Sequence, residues 1–323
     1  MKFRRDLTRL AAAAAFATLA ATGAGAQDMD SLYVMAPANP GGGWDQTARS
    51  IQEAMQTAGI AGSVQVENVG GAGGTVGLAQ FVDRKKGDGS ALLVSGLVMV
   101  GAILTNQSPV TLDQVTPIAR LTGEYEVIVV PAASDIDTLD QLVEKLKSDP
   151  GAVAWAGGSA GGTDHIFAGS IAQAAGVDPK QVNYIAFSGG GDSLAAIVGG
   201  QVTAGVGGFS ELIEQVKAGN LRALGISSEA RLPGVDIPTL KEQGIDVTLA
   251  NWRGIAAPPG LSPEQRNAYF GLMDKVVKSK TWQEHLKKNK WESAYIAGDA
   301  FKKYIETETT RTTAVLGKLG LIK

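Results

Sequence analysis

Val34-Met35-Ala36-Pro37-Ala38-Asn39-Pro40-Gly41-Gly42-Gly43-Trp44-Asp45 joins a short apolar run to the start of a helical pattern, and the reading of the chain turns on it. Leu32 to Ala36 reads as a buried strand. Beyond the Pro/Asn/Gly loop, Ala48, Ile51, Met55 and Ala58 fall at i, i+3, i+7 and i+10, one face of a helix. Asp45 is expected to cap that helix at its N-terminus. A glycine-rich strand-to-helix turn leaves backbone N–H groups at the positive end of a helix dipole, a seat for an anion such as a carboxylate or phosphate.

The same grammar recurs three times. Val64–Val69 precedes Gly70-Gly71-Ala72-Gly73-Gly74-Thr75, and Val153–Ala156 precedes Gly157-Gly158-Ser159-Ala160-Gly161-Gly162-Thr163. Val182–Phe187 leads into Ser188-Gly189-Gly190-Gly191-Asp192. Four such loops at the carboxyl ends of strands point to one shared cleft. For any single loop, a tight turn that needs positive φ explains the glycines equally well.

The N-terminus reads as an export signal. Lys2, Arg4, Arg5 and Arg9 precede an apolar stretch, Leu10–Ala21, and Ala24-Gly25-Ala26 fits a cleavage site. That stretch is too short to span a bilayer. The mature chain is expected to begin at Gln27, and the protein to reside in the periplasm. Of 323 residues none is cysteine, which fits an exported chain whose core needs no disulfide. The net charge of −3 becomes −6 without the leader, which argues against a nucleic-acid partner.

Further along, Val76–Val82 reads as a helix and Ala91–Val98 as a buried strand carrying Ser95-Gly96. Val115–Leu121 and Val127–Pro131 read as two strands separated by Gly123-Glu124. Asp137–Lys147 is an amphipathic helix. A second strand–helix series runs from Val153 to Ser227, with helices at His165–Ala175, Ser193–Val198 and Glu211–Lys217 and strands at Val202–Val206 and Leu221–Ser227. A short helix at Thr239–Gln243, a strand at Val247–Ala257 and C-terminal helices follow; Tyr269, Leu272, Met273, Val276 and Val277 form an apolar stripe. The alternation predicts an α/β protein with largely parallel sheets, in two lobes between which the chain crosses out and back.

Several motifs admit sharper readings. Gly157-Gly158-Ser159-Ala160-Gly161 has the form of a nucleophile elbow, and the order Ser159…Asp236…His285 permits a triad, so a secreted α/β hydrolase is the alternative. Against it, His285 lies in the charged stretch Lys280–Lys290, and extra glycines flank Ser159 as an anion nest would require. Gly71–Gly77 lacks the spacing of a dinucleotide fingerprint. Two histidines and no cysteine make no metal cluster, and no cofactor is expected. Arg253 suits either a ligand carboxylate or a structural acid near Trp252. Trp44 suits either the pocket mouth or packing against the sheet. Asp192 suits a water or a cationic ligand group.

An ordered set of motifs resembles the solute-binding proteins of the tripartite tricarboxylate transporters, the Bug-type periplasmic receptors. It comprises Pro37…Pro40-Gly41-Gly42 with Asp45 and Arg49, Val66-Glu67-Asn68-Val69-Gly70-Gly71-Ala72-Gly73-Gly74, and Gly157…Ser159…Gly161-Gly162-Thr163-Asp164-His165. Ser188-Gly189-Gly190-Gly191, Gly199-Gly200-Gln201-Val202, Pro238-Thr239 and Trp252-Arg253-Gly254 through Ala257-Pro258 complete it. Three positions depart from the family pattern. Val69-Gly70-Gly71 stands where Arg-Pro-Gly is common, Thr203 where an Asp is common, and Ala186-Phe187 where Pro-Tyr is common.

The resemblance implies a type II-like periplasmic binding protein of two lobes, each a mainly parallel sheet flanked by helices, joined by two crossover hinge segments. The leader is residues 1–26, lobe one 27–123 with 237–323, and lobe two 124–236. It also implies a non-catalytic receptor, acting as a monomer, that closes over a citrate-like tri- or dicarboxylate and delivers it to a two-subunit membrane permease. The expected ligand-binding residues are Pro37, Asn39, Pro40, Gly41, Gly42 and Gly43 of the first loop, Ser95 and Gly96, Ser159, Ala160, Gly161, Gly162, Thr163 and His165 of the third, Ser188, Gly189 and Asp192 of the fourth, and Arg253.

Overall fold

The structure, a computed structural model, describes residues 31–322; the leader and its cleavage site lie outside the described residues. β1 (Ser31–Ala36), β2 (Ser63–Asn68) and β3 (Ala91–Gly96) form a parallel set with β1 in the middle. Helices α1 (Gly43–Thr57) and α2 (Thr75–Arg84) connect them. All six residues of β3 are buried, as expected of a strand covered on both faces. A second parallel set, β5 (Ala154–Gly157), β6 (Asn183–Ala186) and β7 (Ala204–Gly208), is connected by α5 (Thr163–Ala174) and α6 (Gly190–Val198).

Two antiparallel strands join the sets into a two-lobed fold. β4 (Thr116–Pro131) pairs through Thr116–Tyr125 with β9 (Ala250–Ala257), which itself lies against β3. From Glu126 onward β4 changes partners, pairing with β7 and with β8 (Leu221–Ile226). The parallel expectation thus holds within each set, and the crossing strands run antiparallel. The remaining helices are α3 (Leu97–Thr105), α4 (Leu139–Ser148), α7 (Phe209–Lys217), α8 (Pro263–Lys278), α9 (Lys280–Asn289) and α10 (Gly298–Lys318). The apolar stripe of α8 is buried as its spacing predicts. β10 (Glu292–Ala297), absent from the sequence reading, pairs with the first half of β4. Past α10, Leu319 lies against α5 at Gly169, so the C-terminus reaches the second parallel set.

Three local readings are corrected. β4 is one strand rather than two, because Gly123 pairs with Trp252 and the charge of Glu124 is met by Arg253 inside the fold. The apolar run from Ala91 turns from strand to helix at Leu97, a distinction that a continuous apolar run does not encode. Asp45 is not the N-cap of α1. Gly42 occupies that position with an extended backbone, and Asp45 reaches back from the third helical position to accept the Gly41 N–H at 3.0 Å. Arg49 Nε, 2.9 Å away, and Asn68 Nδ2, 3.0 Å away, donate to its other oxygen.

The crossings meet at Ser227. Its buried Oγ accepts the Glu126 N–H at 2.8 Å and donates to the Leu249 carbonyl at 2.6 Å, tying the outward strand to the returning segment. Ser227→Ala orphans both groups. A loss of about 1–3 kcal/mol is expected, read as a lower midpoint in a thermal or urea melt of the purified protein.

Candidate functional site

The four glycine-rich loops do converge, and they do so in two pairs. In the first pair the Asn39 N–H donates to the Ser188 carbonyl at 3.3 Å, and Asn39 Nδ2 to Asp192 Oδ2 at 2.7 Å. A Cβ on Gly42 would stand 2.7 Å from the Gly190 nitrogen. In the second pair Gly73 faces Ser159, while Gly101 of α3 lies directly under the Gly161 carbonyl, with no room for a side chain. Backbone thus meets backbone across the cleft, and glycine permits that approach.

These contacts enclose a cavity of about 60 Å³. That is room for roughly four or five water-sized groups. Ala38, Gly42, Gly43, Trp44, Val98, Gly158, Ser159, Asp164, Ser188, Gly189, Gly190, Glu211, Asn251 and Arg253 line it. Of the residues expected from sequence, Gly42, Gly43, Ser159, Ser188, Gly189 and Arg253 lie on its wall. Pro37, Asn39, Pro40, Gly41, Ala160, Gly161, Gly162, Thr163, His165 and Asp192 belong to the surrounding loops and helix starts without lining it. Ser95 and Gly96 lie behind the wall on β3; the Ser95 and Thr163 hydroxyls are buried and have no hydrogen-bond partner among the described residues.

Arg253 is the centre of the floor and is only 2% exposed. It is paired with Glu124 of β4 and, at 3.3 Å, with Glu211 of α7. Its guanidinium lies 5.8 Å from the Trp291 ring centre, whereas Trp252 turns away and donates to Glu308 at 3.1 Å. Of the two sequence readings of Arg253, this geometry carries the structural pairing. Trp44 does both things open to it, lining the cavity and packing against Gly74 and Gly96.

Acids crowd the same floor. Glu126 is fully buried, neither of its oxygens has a hydrogen-bond partner among the described residues, and the Asp164 carboxyl lies close enough to repel its charge. Burial raises Glu126 well above the ordinary range, and raises Asp164 despite the Gly158 N–H that it accepts at 2.6 Å. Burial also pushes Glu211 up to about 8, against the pull of Arg253.

Several N–H groups expected to hold a ligand are taken by the protein. The Gly41 N–H goes to Asp45 and the Gly43 N–H to Glu211. The Gly161 N–H goes to His165 Nδ1 at 3.1 Å. His165 stacks on Tyr184 with ring centres 4.2 Å apart, and burial lowers it to about 4. The sequence reading missed Glu211, Asp164 and Asn251 as wall residues. Asp164 stood inside a quoted motif; Glu211 and Asn251 carry no local signal. The partners of the hydrolase reading are engaged elsewhere, His285 with Glu53 at 3.1 Å and Asp236 with Arg231 at 3.3 Å.

The shifts set a pH dependence. Glu211 ionises near 4.5 when free and about 8 in the fold, so stability falls as pH rises through that interval. His165, lowered from 6.5 to about 4, costs stability only as pH falls below 6.5. Between pH 6.5 and 8 the acid governs. Lowering pH from 8 to 6.5 is expected to stabilise the protein by about 1.5 kcal/mol through Glu211, and Glu211→Gln to flatten that rise in a melt series.

Known proteins share this architecture. Residues 47–321 match the family described as "Tripartite tricarboxylate transporter family receptor". The chain is 30% identical to Protein BugT of Bordetella pertussis over 241 residues, 72% of each chain. The solved periplasmic binding protein BugD superposes with a TM-score of 0.82 at 22% identity, covering 91% of this chain and 98% of BugD. MatC from Rhodopseudomonas palustris, solved with bound malate, superposes with a TM-score of 0.77 at 22% identity, covering 88% and 98%. The ordered glycine loops, the crossing strands and the match over most of the sequence agree: the chain belongs to the tripartite tricarboxylate transporter receptor family, whose solved relatives are periplasmic binding proteins.

Proposed function

We propose that this chain is an exported, monomeric receptor without catalytic activity that captures a small organic acid between its lobes and delivers it to a two-subunit permease of the tripartite type. The observation that carries this reading is the convergence of loops from both parallel sets over one cavity, backbone against backbone. Such a site is completed only when the lobes close, so a bound ligand shifts the hinge toward the closed state. We take lobe one as 27–123 with 237–323 and lobe two as 124–236, with the hinge at the strand crossings. The malate of MatC supports a compact acid as ligand. Ser159, Ser188, Gly189 and the first turn of α6 are the groups we assign to its carboxylate, by hydroxyl and N–H donation.

Thermal melts against a panel of tricarboxylates, dicarboxylates, aromatic acids, amino acids and sugars test the reading. A ligand at about a hundred times its dissociation constant stabilises the fold by roughly 2.7 kcal/mol. A shift confined to organic acids is expected; no shift with any acid, together with hydrolysis of a chromogenic ester, would return the hydrolase alternative.

Closure has its own test. The methyl group of Gly42→Ala would meet the Gly190 nitrogen and hold the lobes apart. The variant is expected to keep its secondary structure by circular dichroism and to bind the panel's ligand at least about tenfold more weakly, a penalty near 1.4 kcal/mol.

A further inference from the structure

The Glu211 carboxyl is pressed between helix starts from both parallel sets. It accepts the Gly43 N–H at the start of α1, and a Cβ on Gly42 would stand 3.4 Å from its Oε2. From the other side Gly190, the first residue of α6, comes so near that a Cβ there would overlap the same oxygen. Ser210 fixes the approach. Its N–H donates to Glu124 at 2.7 Å and its Oγ to Gln46 of α1 at 2.9 Å. Glu211 is thereby held on the cavity wall beside Ser159, Ser188, Gly189 and Gly190, where the ligand's carboxylate is assigned.

The charges around it decide its protonation. Arg253 on β9 faces it at 3.3 Å, but Glu124 on β4 takes that guanidinium more closely. Glu126 on β4 and Asp164 at the start of α5 add two more acids. The other charged groups nearby are engaged elsewhere: Asp192 of α6 with Asn39, Arg222 of β8 with Asp137, and Glu214 with Lys217 further along α7. One guanidinium cannot neutralise four carboxylates, and a buried carboxyl without a countercharge keeps its proton. A protonated carboxyl has an O–H to donate. The groups bonded to Glu211 among the described residues, the Gly43 N–H and the Arg253 guanidinium, are both donors, so that O–H is left for an acceptor in the cavity.

We propose that Glu211 carries a proton that it donates to the ligand's carboxylate at the α6 N-terminus, so that capture of an organic acid is tied to that proton. This deepens the receptor reading and rests on it. The neutral carboxyl admits an anion to a floor already lined with acids, whereas the ionised one sets like charge against it. Affinity is therefore steady while Glu211 is protonated and falls as pH rises through its titration, near 8 in the fold. The bound anion holds the proton to higher pH, so binding in alkaline buffer takes up a proton from solution.

Calorimetry between pH 7 and 9 tests this with malate, succinate and the tightest-binding acid of the panel. Malate and succinate are fully ionised over that range and add no titration of their own. Binding is expected to be about tenfold weaker at pH 9 than at pH 7. Close to one proton is taken up per ligand at pH 9, read by comparing buffers of different ionisation enthalpy. Glu211→Gln keeps an N–H donor in place, and is expected to bind comparably at pH 7 while losing both the pH dependence and the proton uptake. A profile that persists in this variant would put the proton on Glu126 or Asp164 and overturn the proposal. An affinity of the parent protein that stays flat to pH 9 would overturn it too, with or without a folded variant, and leave the receptor reading standing. Binding of no organic acid, in this set or in the wider panel, would overturn both.

Discussion

The guanidinium of Arg253, almost wholly buried and paired with the buried Glu124, is the interaction on which the two-lobed arrangement hangs. Glu124 sits on β4 where that strand passes from one parallel set to the other, and Arg253 on β9 beside it. Glu211 brings α7, from beyond the crossing, to the same cation. Removing one partner from a buried pair of this kind is far more costly than the pair is stabilising, because a bare charge stays behind. The network therefore specifies where the crossing strands lie. It also spends the cation that a ligand carboxylate would otherwise use.

Around this knot the cleft is built by close approach. Loops from the two sets meet through Gly42 and Gly190 on one side and through Gly101 and Gly161 on the other, at separations that a Cβ would forbid. Such contacts leave no space for a side chain on either partner, so a larger residue at any of these positions would force the two segments apart. The stiff elements lie behind: β3 is wholly buried, and Ser227 clasps both crossing segments.

The acid-rich floor separates this cleft from a simple anion seat. A helix N-terminus attracts negative charge wherever it comes from, and at α1 the charge comes from within the chain, from Asp45 and Glu211. Raised carboxyl groups are how a fold tolerates several acids beside one arginine.

Local order along the chain was legible in the sequence because it rests on local chemistry. The period-3.6 stripe of α8, the strand–glycine loop–helix units and their placement at one end of the strands follow from spacing, and the family follows from their order. Where tertiary partners override local preference, spacing was silent. Gly123-Glu124 reads as a break until β9 supplies Trp252 as a strand partner and Arg253 as a countercharge. The wall residues Glu211 and Asn251 reach the cavity only because α7 and β9 converge from positions forty residues apart on the chain. The sequence by itself therefore determined the α/β class, the four loops and the family. Only the tertiary structure decided which loop N–H groups are taken by the chain's own side chains and which acids gather beside Arg253, since both depend on which distant side chains share one buried space.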